Sequence, residues 1–150
     1  MSSSSSSQKT ARLMPIIAGQ HTEEMVHISS FAMIRKGDGL LLAKRIRPEF
    51  TAGKWVLPSS IINFGENPES ATKRIVREQL GTDAKNVKLI GVQSYGDKHW
   101  DICFVYEVSI DEIGRLSPDI EKAEYFETGK LPPEFRSDHM EVLQGLEGMP

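Results

Sequence analysis

The sequence predicts one α+β domain, an α/β/α sandwich in which helices flank a mixed β-sheet. Three observations predict it. The stretch "MVHISSFAMIRKGDGLLLAKRI" holds two strand-like segments around a KGDG turn. Pro68 to Gly81 has the composition and both end signals of a helix. Further strand-like segments then follow, closed by a terminal helical segment. Elements in that order pack as layers around a single core.

Each element has its own warrant. Val26, Ile28, Phe31 and Met33 mark the first strand, and Leu40 to Ala43, followed by Lys44 and Arg45, mark the second. The Asp38–Gly39 pair supplies the positive φ that a tight hairpin needs. "PEFTAGK" is a loop, and "WVLP" is a short strand closed by Pro58. Asn67 is placed to cap a helix that starts at Pro68, with Glu69 complementing its positive end. Gly81 is placed to end that helix in the left-handed conformation. "VKLIGVQSYG" and "HWDICFVYEVSI" form an antiparallel pair, and "EKAEYFETGKLP" is a strand running into a turn. Ser137 or Asp138 caps a last helix that carries Met140, Leu143 and Leu146 at helical spacing.

Composition narrows the function classes. With 150 residues and 39% apolar content, the chain makes one domain, and a chain of that size buries roughly two-thirds of its unfolded surface. A net charge of -3 gives no argument for a nucleic-acid backbone as partner, so the expected partner is a small-molecule nucleotide; a homodimer is left open. No apolar run approaches the length that crosses a bilayer. The single cysteine, Cys103, is expected to be a buried thiol in a reducing cytoplasm. Residues 1–20, polar and Ser-rich, read as a disordered tail or a cloning remnant, and residues 21–150 as the domain.

One segment carries the chemistry: "GKWVLPSSIINFGENPESATKRIVREQLGTD". It resembles the signature of the Nudix hydrolases, G-x5-E-x7-R-E-U-x-E-E-x-G-U, where U is aliphatic. Glu66 takes the first Glu position, Arg74 the Arg and Gly81 the closing Gly. The flanks "LLLAKRIRPEFTAGKWVLP" and "AEYFETGKLPPEF" are similar to the family's approach and exit, so the resemblance spans Met25 to Leu146. It implies a Nudix-type mixed sheet flanked by helices.

The departures fall on the acids. Ser59 and Ser60 replace paired glycines, Ile75 replaces the acid after the Arg, Gln79 replaces the second acid of the pair, and Thr82 replaces the last aliphatic. On a helix, positions 75, 78 and 79 share one face. Carboxylates at all three would hold Mg2+ or Mn2+ through hard oxygens, and such a metal neutralises charge and activates water. Here that face offers only the Glu78 carboxylate and the Gln79 amide, so a weakly bound metal is expected.

The resemblance implies a metal-dependent hydrolase of a nucleoside diphosphate linked to another group, slowed by the lost acids. The alternative is a catalytically silent Nudix-fold module that binds a nucleotide or a protein. In the first reading the metal ligands are Glu78, Gln79 and Glu66, and the catalytic residues are Glu78, Arg74 and Glu121. Arg74 orients the acids, and Glu121 is a base. Arg45, Lys44 and Arg47 clamp a diphosphate, while Trp55 and Phe64 stack on a base. A weaker likeness to GDP-mannose mannosyl hydrolase points to a nucleotide sugar. That group uses a loop histidine as base, however, and in this chain Asp119 and Glu121 are the nearest substitutes. His139 is expected to cap the last helix or face solvent, and His21, His27 and His99 have no partner at metal-binding spacing.

Overall fold

The computed structural model describes residues 25–97 and 99–147; the segment read as a tail lies outside them. Its organising strand is β1 (Met25–Lys36), which turns at Gly37 and Asp38 into β2 (Gly39–Arg45). The positive φ of that turn, +60°, belongs to Gly37 and not to the Asp38–Gly39 pair. A 3-10 turn at Glu49–Thr51 leads to β3 (Trp55–Val56) and β4 (Ser59–Ile61). Helix α1 (Pro68–Leu80) follows, then β5 (Lys85–Gly96), β6 (His99–Ser109), β7 (Ile120–Glu127) and α2 (Ser137–Glu147).

The sheet runs β3-β2-β1-β6-β5, with β4 added to β1 and β7 to β2. It is mixed because β1 and β6 are parallel, from Met25 opposite His99 to Ile34 opposite Val108, while the other pairs are antiparallel. β1 pairs with β2 only at Arg35 and Lys36. Lower down, at Ser29 to Phe31, its edge is taken by β4 instead. The two halves of the sheet therefore diverge below the hairpin, and the β3–β4 connection crosses the gap, pinned by the Ala32 N–H donating to the Pro58 carbonyl at 2.9 Å. That divergence makes the cleft described below.

Alternation along β1 feeds two cores. Phe31 and Met33 join Leu40, Leu42, Trp55, Leu57 and Val105 under Val142 and Leu143 of α2. Ala32 and Ile34 join Leu41, Tyr106 and Val108 under Val76 and Leu80 of α1. Helices thus cover opposite faces, as the period-2 side-chain pattern dictates. At the open end of β1 the apolar pattern does not mean burial, since Val26 is 63% exposed and Ile28 47%. Cys103 is fully buried, its thiol donates to the Gln93 carbonyl at 3.5 Å, and burial pushes it up to about 11.

Helix α1 is fixed at both ends by local chemistry. Asn67 Oδ1 accepts the Ser70 N–H at 2.8 Å, and Gly81 adopts φ +64°. The last-turn carbonyls of Leu80 and Gln79 accept from Gly114 and Ser117 at 2.8 and 3.1 Å, so the following loop satisfies groups that a helix end leaves open. No helix among the described residues is long and apolar enough to cross a membrane.

Candidate functional site

Arg74 is the hub of the helix face that the sequence singled out. Its Nε donates to Glu66 Oε2 at 2.7 Å and its Nη2 to Glu66 Oε1 at 2.9 Å, a bidentate pair. The same Nη2 reaches the Ile61 carbonyl at 3.0 Å, and Nη1 reaches Glu78 Oε1 at 3.2 Å. Glu66 Oε1 also accepts the Asn63 N–H at 3.0 Å. The Arg74 guanidinium, then that backbone N–H, hold the Glu66 carboxyl below the usual carboxylate range. Both Glu66 oxygens are therefore committed to fixing the loop before α1.

The other box positions diverge. Glu78 is 62% exposed along its side chain and touches only Arg74 among the described residues. Ile75 is fully buried, although it stands only one turn before the exposed Glu78. Gln79 turns toward β4, its Nε2 donating to the Ser59 carbonyl at 2.9 Å. A carbonyl can only accept, so the amide must present its nitrogen there. Its Oε1 is left buried with no partner among the described residues.

That oxygen belongs to the wall of a cavity of about 380 Å³ in the gap between the two halves of the sheet, a size suited to a small ligand. Strand register builds one wall. His27 lies opposite Asp101 across β1–β6, and Asp101 lies opposite Tyr95 across β6–β5. Ser29 Oγ donates to Asp101 Oδ1 at 3.1 Å. His27 Nε2 is buried and unpartnered among the described residues, like Gln79 Oε1. Ser59, Ser60 and Ile61 line another side, with Arg45 from β2 and Arg136 and His139 from the start of α2.

Arg45 Nε donates to the Arg47 carbonyl at 2.8 Å. Burial pulls its pKa below the ordinary arginine value, Asp119 opposes that shift and Arg136 adds to it. Arg136 bonds Asp138 and lies 5.6 Å over the Phe50 ring. His139 is only 3% exposed, which corrects the expectation that it faces solvent. Its Nδ1 accepts the Leu57 N–H at 3.0 Å, and its ring meets Phe31 edge-on at 4.8 Å. Burial, then the Arg136 and Arg45 charges, push its pKa down to about 3, so it is neutral.

The remaining sequence candidates stand apart from the cavity. Trp55, expected to stack on a base, is core, packed edge-on against Phe126 at 4.7 Å. Phe64 is fully exposed, and neither it nor Lys44 lines the cavity. Arg47 pairs with Asp119 at 2.9 Å at the surface. Glu121 is exposed on β7 and does not reach the cavity either. What the sequence missed was His27, Asp101, Tyr95 and Arg136. For the first three the signal was register, since pairing β1 in parallel with β6 sets His27 beside Asp101, and pairing β6 with β5 sets Asp101 beside Tyr95.

The NUDIX domain model matches residues 25–146. The chain belongs to the Nudix family. It is 30% identical over 116 residues to the NAD-capped RNA hydrolase NudC of Pseudomonas aeruginosa PAO1, covering 77% of this chain and 41% of that protein. It therefore spans about two-fifths of that relative's length. It is also 30% identical over 117 residues to the ADP-ribose pyrophosphatase of Methanocaldococcus jannaschii, covering 75% of this chain and 68% of that one. Among solved structures, the MutT Nudix hydrolase of Burkholderia pseudomallei superposes with a TM-score of 0.72 at 24% identity, over 81% of this chain and 98% of that chain. A UDP-X diphosphatase gives 0.67 at 16% identity, over 92% and 70%. These two likenesses establish the fold.

Nudix hydrolases use divalent metals, and the box of this chain does not fit one. Among the described residues, no three His, Cys, Asp or Glu side chains gather into a metal-holding group. Glu66 is spent on Arg74, Ile75 is apolar and buried, and Gln79 offers one neutral oxygen. Glu78 alone is far from the oxygen set that Mg2+ or Mn2+ requires.

Proposed function

We propose that this Nudix chain binds a nucleoside diphosphate linked to another group in the cavity between the sheet halves, without hydrolysing it at ordinary enzyme rates. The burial of Ile75 carries this reading, because the position that would present a second acid to a metal is instead a fully buried aliphatic. The cavity suits such a ligand chemically. Arg45 and Arg136 favour an anion, and Gln79 and His27, whose Oε1 and Nε2 are buried with no partner among the described residues, add polar groups to the lining suited to a sugar or base. The names of the relatives support the same class, since NAD and ADP-ribose both contain the nucleoside diphosphate unit. The low net charge argued against nucleic acid, but a capped RNA end presents that unit too and belongs among the candidates.

A second reading, slow hydrolysis, is supported by the exposed Glu78 beside Arg74 and by the 30% identity to named hydrolases. One panel separates the two. ADP-ribose, NAD, UDP- and GDP-sugars and an NAD-capped oligonucleotide are tested for binding by calorimetry and for product release with Mg2+ and Mn2+. Binding of at least one, with turnover well below the roughly 1 s⁻¹ floor of typical enzymes, is expected. Turnover at any rate that Mg2+ or Mn2+ supports and Glu78→Gln abolishes would establish the slow-hydrolysis reading instead.

A further inference from the structure

The charged side chains of the cavity are unevenly matched. Arg45 is oriented by its Nε bond to the Arg47 carbonyl, yet its two terminal amino groups have no acceptor among the described residues. The nearby acids are occupied elsewhere. Asp119 is paired with Arg47 at 2.9 Å and Asp138 with Arg136, while Asp101, on the opposite β1–β6 wall of the cavity, accepts from Ser29 and keeps its charge. Arg136 faces the same cavity from the start of α2, and the two guanidiniums are close enough to repel each other's protons. Arg136 has Asp138 as its counter-charge, so the charge left without an ion pair among the described residues is that of Arg45, and holding it partly enclosed is unfavourable unless an anion joins it. Two guanidiniums also match two phosphoryl groups in geometry as well as charge, each offering a planar fork. The box helix nearby supplies no metal to do that work.

We propose that Arg45 and Arg136 bind the diphosphate of the ligand directly, so that two guanidiniums stand in for the divalent ion and binding is metal-independent. This rests on the reading that the ligand is a nucleoside diphosphate derivative. Both arginines stand on the β2–β3 side of the cleft, Arg45 at the end of β2 and Arg136 anchored by its N–H to the Trp55 carbonyl of β3 at 3.0 Å, so one diphosphate can meet both.

The test is calorimetry of the whole chain with ADP-ribose as probe, once in excess EDTA and once in excess Mg2+. The two dissociation constants are expected to agree within about threefold, and Arg45→Gln and Arg136→Gln are each expected to weaken binding about tenfold or more. Arg45→Lys, which keeps charge but loses the fork, is expected to fall between. Affinity that drops about tenfold or more in EDTA would overturn the proposal while leaving the nucleoside diphosphate reading intact. Binding unchanged in both glutamine variants would overturn it as well. No binding in either buffer would overturn the proposal, and no binding by any member of the panel above would overturn the nucleoside diphosphate reading as well. If a glutamine variant does not fold, the EDTA comparison on the unaltered chain decides.

Discussion

Gln79 and Ser59 tie the box helix to the strand it faces, the Gln79 Nε2 donating to the Ser59 carbonyl across 2.9 Å. An acid at position 79 would leave a metal ligand there; the amide makes a latch. Gln79→Glu replaces the donor with a second acceptor, so two lone-pair oxygens would face each other. We expect a loss of about 1–3 kcal/mol in urea denaturation, with no recovery on adding Mn2+. A variant that Mn2+ stabilised would show that the geometry of an acid site survives in this chain.

Ile75 sets the stronger test of how the helix has changed. Because the side chain is fully buried, Ile75→Val is expected to cost about 1 kcal/mol, and Ile75→Glu more than about 3 kcal/mol. Burial would also raise the pKa of the introduced carboxyl. The folded state would then hold its proton at pH values where the unfolded chain has lost it, so the stability of this variant should fall as pH rises above about 4.3. Urea titrations at several pH values measure both effects. An Ile75→Glu protein as stable as the parent would place position 75 at the surface.

His139 gives the parent chain its own pH signature. Held neutral down to about pH 3, it takes up a proton on unfolding between about pH 3 and about pH 6.5. Stability should therefore drop as pH falls from about 6.5 toward 3, by up to about 1.4 kcal/mol per unit from this group. His139→Gln, compared with the parent across that range, should remove this part of the slope. Equal slopes in the two proteins would mean that His139 is protonated in the folded state.

Legibility followed sequence distance. The caps of α1 were readable because Asn67 and Gly81 act within one turn of themselves, and the hairpin because Gly37 and Asp38 form a two-residue turn. The loss of box acids was readable as composition, but its outcome was not. Whether Ile75 sits in solvent or core depends on how α1 rolls against β1 and β6, which no local pattern encodes. His139 looked like a surface cap because its partners, Leu57 and Phe31, lie about 80 and 108 residues earlier in the chain. Arg45 could be singled out as the end of a basic strand, whereas Arg136 becomes a site residue only when the start of α2 closes over the same cleft.

The box helix lacks the oxygen set of a competent metal site, and Mn2+ binding to the free protein is the measurement that bears on this. Calorimetry at neutral pH should give a dissociation constant in the millimolar range, about -4 kcal/mol, as expected for one exposed carboxylate already paired with Arg74. Micromolar binding lost in Glu78→Gln would contradict the claim, because it would require Glu66 to leave Arg74 or other oxygens to complete the site.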